Sequence, residues 1–418
     1  NPTGDRLSLA LDVLDLPEPW LPAAGATDAD QLLVKRFPAL DGNRARSLQA
    51  SLLAQARRAI EPGLFIVEGP MGVGKTEAAL LAAEVLAERF GLGGVFVGLP
   101  TMATADPMFD RVHRWLKTTL GARDVSITLA HGKAALNDNY AGLLPRRRRG
   151  RLYDETASGD LVGEAVVNEW LRGRKRNGLA SFVVGTIDQS LFAALKAKHV
   201  VLRHLGLVSK VVIIDEVHAA DDYMREYLKR LLSWLGVYRT PVILMSATLP
   251  PEQRDEFLRA YAQGRGATQS ITTSRSDAYP RISMYDSQVS EIEVASDARV
   301  LDVGLGRLPD DLGGLVALFR EVLVEGGCAA VICNTVTRAQ EAFAVLQAEF
   351  GSSVRLVHSR FIAPDRARRE AELVRELGPT GNRPERLVVV GTQVLEQSLD
   401  VDFDVMVTDL APADLMLQ

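Results

Sequence analysis

Short apolar runs along the chain alternate with longer stretches in which apolar residues recur at helical spacing. This alternation predicts strands and helices in turn, and hence an α/β fold with parallel sheets. In the first half of the chain, the predicted strands are residues 64–67, 95–99, 126–130, 182–185, 211–214 and 242–245.

The same pattern starts again at about Arg281, which indicates a second α/β unit. Helices are predicted in this unit over residues 337–350 and 366–377. Its predicted strands are residues 331–333, 354–357, 387–390 and 405–407.

This restart predicts two domains, residues 46–280 and residues 281–418. The first domain contains a basic insertion at about 140–178. Residues 1–45 are rich in Pro, Asp and Gly, which is typical of a connecting segment, and Trp20 is the aromatic side chain that would anchor it.

Residues 69–76 read Gly-Pro-Met-Gly-Val-Gly-Lys-Thr and fit the phosphate-loop pattern G-x-x-x-x-G-K-[ST]. A predicted strand precedes them and an Ala/Leu-rich predicted helix follows, as this motif requires. The glycines let backbone N–H groups surround a phosphate, Lys75 reaches the terminal phosphates, and Thr76 offers its hydroxyl to Mg²⁺. A Gly-rich turn that binds nothing would need neither the lysine nor the threonine. We therefore predict an ATP site that uses Met71, Gly72, Val73, Gly74, Lys75 and Thr76.

Two carboxylates, Asp215 and Glu216, follow the apolar run 211–214 directly. At the end of a buried parallel strand, Asp215 would hold Mg²⁺ and Glu216 would orient and deprotonate the attacking water. His218 completes a D-E-x-H box. The alternative is a helix N-cap, since a predicted helix follows, but a phosphate loop and this box together favour the catalytic interpretation.

Two hydroxyl residues, Ser246 and Thr248, end the neighbouring predicted strand. Taken alone, the tripeptide Ser-Ala-Thr has no specific meaning. Because it follows the acidic box by thirty residues, we interpret it as a relay between the nucleotide site and a neighbouring surface.

The net charge of −5 excludes a globally basic nucleic-acid-binding protein, so contact with DNA or RNA requires a local basic surface. One candidate is the run Arg146–Arg149 with Arg151, and a second is the cluster at 172–176. Such a run is also typical of a solvated loop. With two cysteines, no apolar run of about 18 residues and no signal peptide at the start, we expect a cytoplasmic protein without membrane contact.

Taken in order, these motifs resemble a superfamily 2 helicase with two RecA-like domains. Three stretches, 185–189, 212–219 and 391–404, are similar to the signature helicase-nuclease of type I CRISPR systems, in its type I-E form. The resemblance covers about residues 44–418.

The resemblance implies ATP-driven 3′-to-5′ movement on single-stranded DNA, the displaced strand of an R-loop, with recruitment by a crRNA-guided surveillance complex (Cascade). It also implies a histidine-aspartate nuclease domain. None of the six histidines here is followed by Asp, so we expect that domain outside this chain, before Asn1. Gln418 matches the first residue of the family's Gln-Arg-x-Gly-Arg motif, whose arginines would complete the ATP site.

The resemblance also assigns individual residues. Gln49 would contact adenine, and Asp400 would approach the nucleotide from the second domain. For each candidate contact to the DNA strand, a helix-capping or loop role is the alternative. These candidates are Thr101, Thr104, Thr186, Asn334, Thr335, Arg360, Thr392 and Gln393.

Two other functions remain open on the sequence. One is a different superfamily 2 motor that acts on RNA or DNA, which stimulation of the ATPase by single-stranded DNA rather than RNA would distinguish. The other is an ATP-binding scaffold without motor activity, against which the intact Lys75, Asp215 and Glu216 argue.

Overall fold

The structure is a computed structural model of the 418-residue chain, which divides into two compact units, residues 1–298 and 299–418. It describes residues 14, 16–25, 28–40, 44–121, 124–132, 134, 137–144, 164–168, 170–172, 176–195, 198–268, 271–274, 276–297, 303–378, 381–397 and 401–411.

Helices and strands alternate through both units. The helices are α1 (Ala29–Arg36), α2 (Ser47–Arg58), α3 (Lys75–Phe90), α4 (Met102–Thr119), α5 (Asp138–Leu143), α6 (Asp188–Leu191), α7 (Val200–Val208), α8 (Asp222–Val237), α9 (Pro251–Gly264), α10 (Leu312–Val322), α11 (Val336–Phe350), α12 (Ala363–Leu377) and α13 (Val394–Gln397). The strands are β1 (Leu64–Glu68), β2 (Val95–Leu99), β3 (Val125–Ala130), β4 (Ala165–Val166), β5 (Phe182–Thr186), β6 (Val211–Ile214), β7 (Val242–Ser246), β8 (Arg281–Tyr285), β9 (Val289–Glu293), β10 (Gly327–Ile332), β11 (Val354–Val357), β12 (Arg386–Gly391) and β13 (Val405–Thr408).

The first unit is built on a sheet with the strand order β4-β3-β5-β2-β6-β7-β1-β8-β9. The strands from β4 to β1 are parallel, as the alternating pattern predicted, and the α/β fold class is confirmed. At one edge, β8 and β9 are antiparallel.

These two edge strands correct the predicted domain boundary. The sequence placed Arg281 at the start of the second domain, whereas the structure divides the chain between residues 298 and 299. The physical reason is that Arg281 begins β8, which pairs with the central strand β1 (Glu68 opposite Arg281). Backbone hydrogen bonds therefore fix residues 281–293 to the first sheet.

Helices cover both faces of the first sheet, and successive side chains of β1 point into a separate core on each face. Phe65 and Val67 pack with α2, α3 and α4 on one face. Leu64 and Ile66 pack with α8 and α9 on the other. This burial on both faces explains why the central strands are continuous apolar runs in the sequence.

The segment before α2 is partly folded onto this core. Trp20 is buried and packs edge-on against Trp115 and Phe182, with ring centroids 5.6 Å and 5.1 Å away. The sequence analysis did not predict α1, in which Arg36 forms a buried ion pair with Glu84 of α3.

The second unit has a parallel sheet with the strand order β11-β12-β10-β13. Strands β11, β12 and β13 lie within one residue of the apolar runs that predicted them, whereas β10 begins at Gly327, four residues before the predicted 331–333. Cys328 and Cys333 are buried and free. Among the described residues of both units, no helix is long and apolar enough to cross a lipid bilayer.

Candidate nucleotide site at the carboxyl edge of the first sheet

The parallel strands of the first sheet all end at one edge, and the predicted site residues lie there. In sheet order, β5 ends at Thr186, β2 precedes Thr101, β6 precedes Asp215, β7 ends at Ser246 and β1 precedes Gly69. The strand order therefore places the two halves of the predicted ATP site on strands separated by β7 alone.

The phosphate loop connects β1 to α3, whose N-cap is Gly74. Gly72 and Gly74 have left-handed backbones, with φ of 70° and 84°. The left-handed backbone at Gly74 favours glycine, and a Cβ built there would lie 2.3 Å from the side-chain Nε2 of Gln49, which would have to move aside. The loop thus leads its backbone into the first turn of a 16-residue helix, whose N-terminus favours an anion.

Lys75 is folded into this loop. Its Nζ donates to the carbonyl oxygens of Gly69 (2.6 Å) and Pro70 (3.1 Å). Burial lowers the pKa of Lys75, whereas the negative charges of Asp215 and Glu216 act to raise it. The ammonium group therefore lies between the loop and the acidic pair, where phosphate oxygens can replace the two carbonyls.

The acidic pair is also desolvated. Burial raises the pKa of Asp215, opposed by the backbone N–H of Glu216 at 2.9 Å and by the charges of Lys75 and Arg111. Burial and the neighbouring Asp215 raise the pKa of Glu216 to about 7, against the opposing charge of Lys75. A bound divalent cation would stabilise the charged forms of these two adjacent carboxylates. Their oxygens therefore suit Mg²⁺ as ligands.

The backbone at Glu216 has a φ of 52°, an uncommon conformation for a residue with a side chain. A 3₁₀ turn, Val217–Ala219, follows directly. This turn brings the imidazole of His218 to the end of β7, where its Nδ1 lies 3.2 Å from Oγ of Ser246.

Residues 246–248, the last residue of β7 and the two that follow it, are held close to the acidic box. The Ser246 hydroxyl donates to the carbonyl of Thr248 at 2.6 Å, and the N–H of Ala247 points to Nδ1 of His218 at 3.4 Å. The structure thus brings Ser246 and His218 into contact, and the coupling role of Ser246 and Thr248 stays a prediction.

Gln49 lies in the first turn of α2 and is buried against the phosphate loop. Its Oε1 accepts from the N–H of Arg46 (2.9 Å), and its Nε2 donates to the carbonyl of Gly74 (3.4 Å). The structure thus places Gln49 next to the loop, and its predicted contact with adenine stays a prediction.

Two arginines near the site were missed by the sequence analysis. Arg46 donates to the carbonyl of Gly72 in the phosphate loop. Arg111 of α4 lies 3.8 Å from Glu77 of α3, and its charge lowers the pKa of Asp215. Arg46 could have been suspected from the sequence, because it lies three residues before the predicted site residue Gln49. Arg111 could not, because only the packing of α4 brings it near the site.

Two of the candidate DNA contacts in the first unit, Thr101 and Thr104, have the helix-capping role that was the alternative. Thr101 is the N-cap of α4 and accepts from the N–H of Thr104 at 3.2 Å, and the N–H of Thr101 points back to Oγ1 of Thr104 at 3.4 Å. Thr186 is buried at the end of β5. A residue that caps a helix can also bind DNA, so the DNA contacts of Thr101, Thr104 and Thr186 stay predictions.

In the second unit, Thr335 is the N-cap of α11. Asn334 binds Asp409 through its N–H at 2.8 Å and the carbonyl of Leu410 through its side chain at 3.0 Å. Arg360 and Gln393 are exposed and Thr392 is buried.

Several predicted residues lie outside the part of the chain that the structure describes. They are Asp400, Arg146–Arg149, Arg151, Arg174, Lys175 and Gln418.

Comparisons with known proteins bear on the family of the chain rather than on single residues. Residues 156–257 match the DEAD/DEAH box helicase family, and residues 325–418 match the family "CRISPR-associated nuclease/helicase Cas3, C-terminal". The nuclease/helicase Cas3 of Streptococcus thermophilus is 42% identical over 407 residues, or 96% of this chain and 42% of that protein. The chain is homologous to the helicase portion of Cas3.

Solved Cas3 structures agree with this assignment. The crystal structure of T. fusca Cas3 has a TM-score of 0.81 at 34% identity, covering 97% of this chain and 46% of that one; the same protein was solved with AMPPNP. A chain in a CRISPR RNA-guided surveillance complex, pre-nicking, has a TM-score of 0.67 at 34% identity, with 93% and 43% covered. Both units therefore have the RecA-like α/β fold, and the predicted resemblance is confirmed. The chain spans less than half the length of these Cas3 proteins.

Proposed function

We propose that this chain is the ATP-driven motor of a Cas3-type protein and moves 3′-to-5′ along single-stranded DNA. One observation carries this proposal: the desolvated ammonium of Lys75 lies in a phosphate loop and interacts with the carboxylates of Asp215 and Glu216. A half-buried cation beside two half-buried acids is typical of a functional site rather than of a turn without function. Homology to Cas3 supports the choice of DNA motor over the many other functions of this fold.

In this proposal Lys75 and the backbone N–H groups of Gly72 and Gly74 bind the phosphates of ATP, while Thr76 and Asp215 hold Mg²⁺. The bound Mg²⁺ would supply positive charge that neutralises the terminal phosphates. Glu216 orients the attacking water and accepts its proton, and Gln49 recognises adenine. Asp400 would complete the site from the second unit.

The proposed nucleic acid is the displaced strand of an R-loop, presented by a crRNA-guided surveillance complex in the cytoplasm. Support comes from the matched structure of such a complex. The strand would contact Thr101, Thr104 and Thr186 in the first unit and the polar strand ends of the second. A nuclease domain outside these 418 residues would cut it.

The test is the ATPase activity of the full-length protein with single-stranded DNA, duplex DNA or RNA of the same sequence. We expect single-stranded DNA to stimulate turnover, and unwinding to require a 3′ overhang. Equal stimulation by RNA would indicate another superfamily 2 motor. ATP binding without turnover on any nucleic acid would indicate a scaffold.

A further inference from the structure

The loop of residues 246–249 is tied to the nucleotide site at both of its ends. At its start, Ser246 and Ala247 contact Nδ1 of His218 in the acidic box. At its end, the N–H of Leu249 donates to Oε1 of Glu68 at 3.2 Å. Because Glu68 directly precedes Gly69, this loop connects the acidic box to the base of the phosphate loop.

Glu68 is buried in a charged network that extends away from the site. Its Oε2 forms an ion pair with Arg254, whose Nε lies 3.2 Å away, but the two atoms are not aligned for a hydrogen bond. Arg254 is itself buried, with 2% of its surface exposed. Arg254 also lies 3.4 Å from Glu291 of β9. A buried carboxylate oxygen that has an ion pair but no hydrogen bond is only partly compensated for the loss of water.

Tyr279 holds the same loop from the other side. Its hydroxyl donates to the carbonyl of Ala247 at 2.8 Å, while its ring is 43% exposed. Pairing of β8 with β1 brings Tyr279 to this position, because Arg281 lies opposite Glu68. Pro280 lies beside the phosphate loop, 3.4 Å from where a Cβ on Gly69 would be.

We propose that Tyr279 and Glu68 are positioning residues that clamp the 246–249 loop to the phosphate loop, so that ATP turnover is transmitted to the DNA strand. The inference rests on the proposed function. With both ties in place, a change in the phosphate loop moves Leu249 through Glu68. Tyr279 restrains the Ala247 peptide, which contacts the acidic box, and the two ends of the loop therefore respond together.

The experiment compares base pairs unwound per ATP hydrolysed in full-length wild type and in Tyr279→Phe. Removing the hydroxyl should lower this ratio by about threefold to tenfold, the factor that one net hydrogen bond represents. The KM for ATP and the kcat of the ATPase should stay within about twofold, because no group that touches ATP is changed. A merely structural role would lower unwinding and ATPase in proportion.

A second pair of variants tests Glu68. Glu68→Gln keeps an acceptor for Leu249 and should retain most of the ratio, whereas Glu68→Ala should lose it. Glu84→Ala is the matched control, because Glu84 is also a buried carboxylate paired with an arginine, Arg36. It should lower stability and leave the ratio unchanged.

The outcomes separate the two proposals. Wild-type protein without ATPase stimulation by single-stranded DNA would refute the proposed function. If wild type is active and Tyr279→Phe unwinds the same number of base pairs per ATP, the proposed clamp is wrong. An equal loss in Glu84→Ala would do the same, because the effect would then be general to buried ion pairs.

Discussion

At the scale of single residues, the site is defined by three ionisable groups that share one desolvated region. Burial lowers the pKa of Lys75 and raises those of Asp215 and Glu216, and the attraction between the ammonium and the two carboxylates opposes each of these shifts. Removing one member therefore leaves the charges of the others partly desolvated and with less compensation.

Lys75 and Glu216 should fail in different ways. In the full-length protein, Lys75→Ala should remove ATP turnover by a factor on the order of 10² or more, because the charge on the terminal phosphates is lost. Glu216→Gln should still bind ATP and slow hydrolysis by about 10²–10⁴, the usual contribution of a general base. Fluorescent-nucleotide binding and steady-state ATPase assays measure the two effects. Equal loss of binding in both variants would contradict this division of roles.

A second residue-scale feature lies away from the site. Lys210, just before β6, is buried, and its Nζ donates to the carbonyls of Gly178 (3.0 Å) and Gly206. Burial lowers the pKa of Lys210 to about 7. The folded chain therefore binds this proton more weakly than the unfolded chain does.

This difference predicts a pH dependence of stability. Between pH 7 and about 10, the unfolded state holds the proton and the folded state does not, so stability from this group rises with pH by up to about 1.4 kcal/mol per unit. Lys210→Met removes the titration, and its advantage over wild type should shrink as pH rises. Thermal midpoints at pH 7, 8 and 9 measure this. An exposed control, Lys117→Met, should show no such trend, and a constant difference for Lys210→Met would disprove the linkage.

At the scale of elements, the helices α8 and α9 approach each other closely enough to require glycine. A Cβ on Gly264 would lie 1.9 Å from the carbonyl oxygen of Ser233, and one on Gly236 would lie 2.2 Å from that of Tyr261. Both atoms belong to backbone, which cannot move aside as a flexible side chain can. The contact covers the face of the sheet that carries Leu64 and Ile66.

Gly264→Ala should therefore destabilise the first unit by about 1–3 kcal/mol through overpacking, in spite of the better helix propensity of alanine. The thermal midpoint should fall by several degrees. Gly142→Ala is the control, because Gly142 lies in α5 and a Cβ there would meet nothing within 4 Å. A midpoint in Gly264→Ala equal to that of the control would show that the helices separate without cost.

At the scale of the whole molecule, the net charge of −5 must be reconciled with the proposed binding to DNA. Basic residues are concentrated in the run Arg146–Arg149, which lies outside the described residues. Local concentration of this kind is sufficient, since affinity for phosphate depends on the contacts made rather than on total charge.

Neutralising Arg146–Arg149 to glutamine should weaken binding of single-stranded DNA and flatten its salt dependence by a slope of about 0.7 per lost contact. Titrations of the full-length protein with labelled DNA at several salt concentrations measure this. The same titrations with Arg172→Gln and Arg174→Gln combined test the second basic cluster for DNA binding. If the salt dependence of DNA binding is unchanged, Arg146–Arg149 form a solvated loop and do not contact DNA.

The sequence alone determined the alternation of strands and helices, the α/β class and the positions of the phosphate loop and acidic box. These features rest on local signals: apolar periodicity, glycines that permit φ values of 70° and 84°, and polar residues at strand ends. Local chemistry also fixed Lys75, Asp215 and Glu216 as site candidates.

The tertiary structure alone decided what depends on contacts between distant residues. Pairing of β8 with β1 moved Arg281 into the first unit, because backbone hydrogen bonds between residues more than 200 positions apart leave no local pattern. The same pairing placed Tyr279 on Ala247, and the packing of α9 placed Arg254 beside Glu68. A sequence read by periodicity cannot show which strand a given strand will join, and here that choice decides what holds the 246–249 loop in place.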